Sequence, residues 1–302
     1  MLRRLTKAIR DWAYQSPYQG AGAPRIGLAL GGGFSRSLAH VGVLQVFQEH
    51  RIPIHCIAGI SSGAIIAGAF ASGSPLEDII STGSCTTFSS YARWTLSRMG
   101  LATTERMEPY LRKALRHIRF EEMQTPFAVV ATDLVTGEPV VFKDRGDVIG
   151  PVRASCSYPG LFLPVEIDGR WLVDGGISTT VPVDAVRGMG ATHVLAVYLH
   201  TVAVDGVRPT NMMQVVGQCF SILQDRMATD WRGEAQIVLE PDVASFTWNS
   251  FERVGELVEA GRESALRALP RIRRWFEPAH ETQVAAAGGR IPVRVPATSG
   301  KS

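Results

Sequence analysis

The residues Gly59-Ile60-Ser61-Ser62-Gly63 place a hydroxyl where a chain must turn sharply from strand into helix. Ile52-Pro53-Ile54-His55-Cys56-Ile57-Ala58 before them reads as a short buried strand. Ala64-Ile65-Ile66-Ala67-Gly68-Ala69-Phe70-Ala71 after them reads as a tightly packed helix that stops at Gly73 and Pro75. A serine in that setting is a nucleophile elbow. Gly59 and Gly63 tolerate the strained turn, and Ser61 Oγ stands proud of the backbone at a helix N-terminus. The competing reading is a turn that serves packing alone. The strand–turn–helix context favours Ser61 as a nucleophile.

A serine nucleophile needs a base and a place for the oxyanion. Gly31-Gly32-Gly33 follows the strand Arg25-Ile26-Gly27-Leu28-Ala29-Leu30 and precedes a helix expected from about Ser37 to His50. Its backbone N–H groups can approach a substrate oxygen closely, and the helix end adds positive potential. Taken alone, the loop suits a phosphate equally well. It lacks the lysine of a Walker loop, however, and Phe34 and Ser37 spoil a dinucleotide pattern. Beside an elbow serine, the oxyanion reading is preferred.

None of the seven histidines sits in a convincing loop after a late strand. His40 lies inside Ala39-His40-Val41-Gly42-Val43-Leu44 and reads as helix packing, while His193 and His200 flank an apolar strand as polar ends. Asp174 differs: it ends a hydrophobic strand and is followed by Gly175 and Gly176. That places a carboxylate at a sheet edge where open α/β sheets bind ligands, and a partly buried carboxylate can serve as the base for a serine hydroxyl. The other aspartates have simpler roles: Asp168 at a hairpin tip, Asp184 at a helix start after Pro182, and Asp133 at a strand end.

The elements that must position these groups alternate strand and helix, which argues a mainly parallel sheet covered by helices. Further strands are expected at Phe127–Ala131, Pro139–Phe142, Val194–Leu199 and Ile237–Leu239, with a hairpin over Glu166–Val173 and a last amphipathic helix over 250–275. Residues 76–125 read as largely helical, and with 200–235 they are expected to shape a pocket or lid. A net charge of +3 with no basic-aromatic stripe gives no sign of nucleic-acid binding. Cys56, Cys85, Cys156 and Cys219 show no paired spacing, so free thiols in a reducing compartment are expected.

The first residues carry Leu2, Leu5, Ile9 and Trp12 on one helical face and Arg3, Arg4, Lys7 and Arg10 on the rest. Such a helix over 1–14 either docks onto the domain or lies on an anionic membrane. Neither a secretory leader nor a membrane-spanning run is legible, and the default location is the cytoplasm, with a peripheral position on the inner face of the membrane if that helix binds lipid. The organisation expected is an N-terminal helix and linker over 1–24, one enzyme domain over 25–276, and a disordered tail over 277–302.

These motifs together resemble the patatin-like phospholipases, specifically their bacterial branch. The resemblance runs from about Arg25 to Phe276. It covers Leu30-Gly31-Gly32-Gly33, Arg36, the His40 segment, the elbow, Ala131-Thr132-Asp133-Leu134 and Thr136-Gly137-Glu138. It continues through Arg153-Ala154-Ser155-Cys156-Ser157-Tyr158-Pro159-Gly160, Val173-Asp174-Gly175-Gly176 and Val181-Pro182-Val183-Asp184. The resemblance implies a three-layer α/β/α fold, a Ser61–Asp174 dyad, and an oxyanion hole at Gly31, Gly32 and Gly33 with Arg36 as the loop's basic residue. It also implies hydrolysis of fatty-acyl esters in phospholipids or lysophospholipids, with no metal and no cofactor. In the mechanism this suggests, the Ser62 N–H joins the oxyanion donors.

Two departures are visible. Phe34 and Ser37 stand where the family's loop usually has glycine, and Ser178, Thr179 and Thr180 replace asparagines common after the Asp-Gly-Gly run. Phe34 is expected to narrow the loop or line an acyl pocket, and Ser37 to cap the following helix. Two further readings stand beside the hydrolase. One is a weakly active, membrane-lipid-binding protein on the same fold; the other is an acyltransferase that passes the acyl group to an alcohol other than water.

Overall fold

The computed structural model describes residues 23–200 and 208–277. The expected N-terminal helix over 1–14 and nearly all of the tail lie outside the described residues.

In chain order the strands are β1 (Ile26–Leu30), β2 (Cys56–Gly59), β3 (Arg93–Trp94), β4 (Ala102–Thr103), β5 (Phe127–Asp133), β6 (Pro139–Lys143), β7 (Val165–Ile167), β8 (Arg170–Asp174), β9 (His193–Val197) and β10 (Ile237–Leu239). The helices are α1 (Ala39–Glu49), α2 (Ser61–Ala71), α3 (Leu76–Ser84), α4 (Phe88–Tyr91), α5 (Met107–Ala114), α6 (Ile149–Ser155), α7 (Val183–Gly188), α8 (Met212–Arg232) and α9 (Val254–Arg274). A 3-10 turn over Phe34–Leu38 leads into α1, which begins two residues later than the sequence suggests.

Eight strands form one sheet whose hydrogen bonds run β10–β9–β1–β2–β5–β8–β7, with β6 also on β5. The pairs from β10 to β5 are parallel, and β5 pairs antiparallel with β6 and β8. Alternation along the central strands builds two cores. Ile26, Leu28 and Leu30 of β1 join a large cluster with α1, α2 and α9, while Ala29 faces a smaller one with Val183, Val186 and Trp231. Three layers, α/β/α, are the result.

Register on β5 decides where the functional residues meet. β6 takes residues 128–132 along one edge of β5, so β2 (opposite 127–129) and β8 (opposite 131–133) must share the other edge. They arrive from opposite directions, end facing end. Gly59 lies opposite Val129 and Asp174 opposite Ala131. Asp174 therefore ends an antiparallel strand rather than a parallel one, yet it lies level with the turn that follows β2.

Helices α1 and α9 cross at backbone contact distance. A Cβ on Gly42 would fall 1.9 Å from the Val258 carbonyl oxygen, and one on Gly261 would fall 1.8 Å from that of Ala39. The region over 76–125, expected to be largely helical, holds three short helices, a 3-10 turn over Phe120–Glu122 and the β3/β4 hairpin, joined by irregular segments. The 21-residue helix α8 has mixed polarity along its length and was not legible as a helix.

Candidate active site

Ser61 is the first residue of α2 and has φ 50°, the left-handed region that costs a side-chain-bearing residue about 1–2 kcal/mol. Close packing of the neighbouring glycines enforces the turn. A Cβ on Gly59 would sit 2.5 Å from Ala64 Cα, and one on Gly63 would sit 2.3 Å from the Gly31 oxygen. Ser155 at the end of α6 ties the turn to the sheet: its hydroxyl accepts from Ser61 N–H at 2.8 Å and donates to the Val130 carbonyl at 2.6 Å. Strain at one residue, held by its surroundings, is how an elbow presents its oxygen.

Ser61 and the Asp174 carboxyl line the same cavity, close enough for the serine to pull the Asp174 pKa down. Asp174 is buried, and its Oδ1 accepts the Gly176 N–H at 2.8 Å. Desolvation lifts its pKa to about 6, against the opposing pull of the Gly176 and Ser61 hydrogen bonds. The loop that follows is held by Ser178, which bonds the Thr132 hydroxyl at 2.8 Å, and by Thr179 and Thr180, which bond Val181 O and the Trp231 indole N–H. Those hydroxyls do the local bonding where the family often has asparagine.

The glycine loop reaches the same place. A Cβ on Gly32 would stand 3.0 Å from Ser61 Cβ, so only glycine lets the backbone come this near. Two of the loop's N–H groups are already engaged: Gly31 N–H donates to Val197 O at 3.0 Å and Gly33 N–H to Ser62 Oγ at 3.1 Å. Among the described residues, the backbone N–H groups of Gly32 and Ser62 have no hydrogen-bond partner. Ser37 does not cap a helix as expected; its hydroxyl lies 2.5 Å from Ser62 Oγ and completes a Gly33–Ser62–Ser37 chain that fixes loop to elbow. Phe34 has φ 53°, which is the physical reason glycine suits that position. Arg36 directs its Nε to Phe246 O at 2.8 Å, and burial lowers its pKa.

His40 is a packing histidine, as read from its helix, and it also braces the loop. Its Nε2 lies 2.8 Å from Gly31 O, which can only accept, and burial holds its pKa near 4, so the ring is neutral. Among the described residues, no histidine lines the cavities around Ser61.

Two cavities meet at Ser61. One is a narrow chamber of about 80 Å³ walled by Ile65, Ile66, Ile79, Met107 and Phe162. The other is an open mouth of about 850 Å³ bordered by Asp174, Gly32, Arg36, Trp94, α8 residues and Trp248. Phe34 lines both, with its ring 5.5 Å from Tyr158 and 5.8 Å from Trp248. The arrangement sets a serine hydroxyl, a buried carboxyl with a raised pKa, two backbone N–H groups and an apolar slot side by side. Sequence reasoning assigned no role to Ser155 and missed the Ser37–Ser62 pair; the expectation that 200–235 shape the pocket holds for α8, although no helix was read there. Ser155 left one trace, a polar residue at the end of an apolar helix.

Comparison with known proteins adds a family. The model of the patatin-like phospholipases matches residues 28–187, which include the glycine loop, the elbow and Asp174. An uncharacterized NTE family protein of Mycobacterium bovis is 35% identical over 185 residues, covering 60% of this chain and 51% of that protein. A second one from the same organism is 27% identical over 270 residues, covering 81% and 46%. Lysophospholipase NTE1 of Mycosarcoma maydis is 31% identical over 180 residues, covering 57% of this chain and 9% of its own length. The chain thus spans about half the length, or less, of the curated relatives it matches. Among solved structures, VipD from Legionella pneumophila superposes with TM-score 0.50 at 14% identity, covering 82% of this chain and 67% of that one, a likeness of fold.

Proposed function

The chain belongs to the patatin-like phospholipase family, and on that premise we propose that it is a serine lipid acyl hydrolase cleaving fatty-acyl esters of phospholipids or lysophospholipids. The observation that carries the reading is a strained serine that shares one cavity with a buried carboxyl, whose pKa is raised to about 6. A base works best with its pKa close to the operating pH, and Asp174 at about 6 is largely ionised at pH 7 yet far more basic than an exposed aspartate.

The steps follow from the positions. The acyl chain enters the apolar chamber, and the ester carbonyl lies over Ser61. Asp174 takes the Ser61 proton as Oγ attacks the carbonyl carbon, and the N–H groups of Gly32 and Ser62 hold the developing oxyanion. Collapse expels the alcohol, which leaves with the proton from Asp174. Water from the open mouth attacks the acyl-enzyme carbonyl as Asp174 takes its proton; the second tetrahedral intermediate collapses, Ser61 Oγ leaves with that proton back from Asp174, and the fatty acid departs. Ser155 and the Ser37–Ser62 pair keep loop and elbow in register through the cycle.

The test is labelling by a fluorophosphonate probe, with mass spectrometry of the modified peptide. Labelling at Ser61, lost in Asp174→Asn, is the expected result. Well-folded protein that takes up no probe overturns the hydrolase reading and returns the chain to the lipid-binding alternative.

A further inference from the structure

The mouth above Ser61 is rimmed by three stretches: residues 88–104 around the β3/β4 hairpin, 208–224 at the start of α8, and the loop 245–249. Their apolar side chains point outward as well as in. Trp94, Leu96, Met99, Val215, Ile222 and Trp248 are exposed, Leu96 completely. On α8 the residues lining the mouth, among them Gln214, Gln218, Ser221 and Gln224, leave Val215 and Ile222, two turns apart, on a neighbouring stripe that faces solvent.

Charge in the rim is one-sided. None of the chain's 28 aspartates and glutamates falls in these three stretches, while Arg93, Arg98 and Arg208 do. Arg93 meets Glu105 just beyond the hairpin at 3.2 Å, leaving Arg98 and Arg208 as the rim's net charge. An apolar rim with tryptophans and arginines and no carboxylate complements an anionic lipid surface, where indoles settle at headgroup depth and each cation adds to the attraction.

We propose that this rim is a bilayer-docking surface, which seats the mouth on an anionic membrane so that an acyl chain passes from lipid to Ser61 without crossing water. The occupant rests on the lipid-hydrolase reading; the surface itself is separate from the amphipathic segment expected at residues 1–14. Hairpin and α8 enter the headgroup region from the two sides of the mouth, and Arg98 and Arg208 hold the anionic lipids around it.

Flotation of the full chain with vesicles tests this, using one part phosphatidylglycerol to two parts phosphatidylcholine against phosphatidylcholine alone. The expected result is stronger binding to the anionic vesicles, weakened by salt. It should fall about tenfold or more in Leu96→Asp/Met99→Asp and again in Val215→Asp/Ile222→Asp, since each pair removes apolar area that would enter the bilayer. Arg98→Glu should weaken binding to the anionic vesicles selectively. These exposed residues lie outside the catalytic groups, so turnover of a water-soluble short-chain ester should be unchanged in all three variants. Variants that bind vesicles as well as the parent overturn the proposal, as does a dimer of the parent that the same substitutions dissociate, which would assign the surface to self-association. A parent that floats with vesicles but turns over no ester leaves the docking surface standing and removes the hydrolase reading instead.

Discussion

Replacing Asp174 by asparagine should abolish turnover and at the same time stabilise the protein, in a pH-dependent way. The carboxyl is 3% exposed, and its pKa is raised from 3.8 to about 6, chiefly by burial. The folded state therefore holds the proton more tightly than the unfolded chain does. The native state is fully favoured below about pH 4, and that advantage is lost as pH rises through about 6. A carboxyl so displaced destabilises the fold by about 3 kcal/mol at pH 8, since each tenfold change in proton affinity is worth about 1.4 kcal/mol. An asparagine avoids that cost, although its NH2 group must find an acceptor in a site built for two incoming donors. The net gain is thus expected to be about 1–3 kcal/mol, or roughly 2–6 °C in Tm for a chain of this size. Chemical denaturation of parent and variant at pH 4.5 and pH 8 measures it. The gain should be present at pH 8 and small at pH 4.5. An equal gain at both values, or a variant less stable than the parent at pH 8, would refute the placement of a desolvated carboxylate at this position. The same raised pKa predicts that kcat/KM of the parent rises with pH through about 6 as Asp174 ionises.

Other outcomes follow from particular residues. Both Ser61→Ala and Ser61→Gly should lose all but trace turnover, but the glycine variant should melt later, because φ 50° costs alanine about 1 kcal/mol that glycine escapes; equal melting would remove the strain. Phe34→Gly should relieve φ 53° and open the partition between chamber and mouth, shifting kcat/KM severalfold toward longer or bulkier acyl chains in an ester series; an unchanged chain-length profile would mean that Phe34 sets no boundary. Gly42→Ala places a methyl 1.9 Å from a backbone oxygen that no rotamer can move, so α1 and α9 must separate at a cost of about 1–3 kcal/mol, read as a lowered denaturation midpoint.

Much of the site was legible because its constraints are local. A serine between two glycines, with an apolar strand before and an apolar helix after, admits few geometries, and β2 and α2 take the expected one. The Glu166–Val173 hairpin was equally plain from Asp168-Gly169 at its tip. The route by which Asp174 meets Ser61 was not legible. Strand direction depends on pairing with β5, more than 40 residues away, and no local pattern distinguishes an antiparallel β8 from a parallel one. Ser37 misled for a similar reason. A serine before a helix suggests a cap, whereas this hydroxyl is bonded to Ser62, 25 residues on. Helix α8 escaped because it turns glutamines and a serine toward the mouth while other faces carry exposed apolar residues, which blurs the 3.6-residue period.

The clamps on the glycine loop also govern timing. Ser35 Oγ bonds Thr247 O across 212 residues of sequence, Arg36 Nε bonds Phe246 O across 210, and α9 closes on α1 later still. Synthesis runs from the N-terminus, so the elbow, the loop and Asp174 all leave the ribosome well before the residues that lock them together. Residues up to 200 supply the Gly33–Ser62–Ser37 ties between loop and elbow, but not the Thr247 and Phe246 carbonyls that clamp Ser35 and Arg36 from the far side. On the hydrolase reading proposed above, the oxyanion loop is therefore expected to be fully clamped only once the segment through Thr247 has been made.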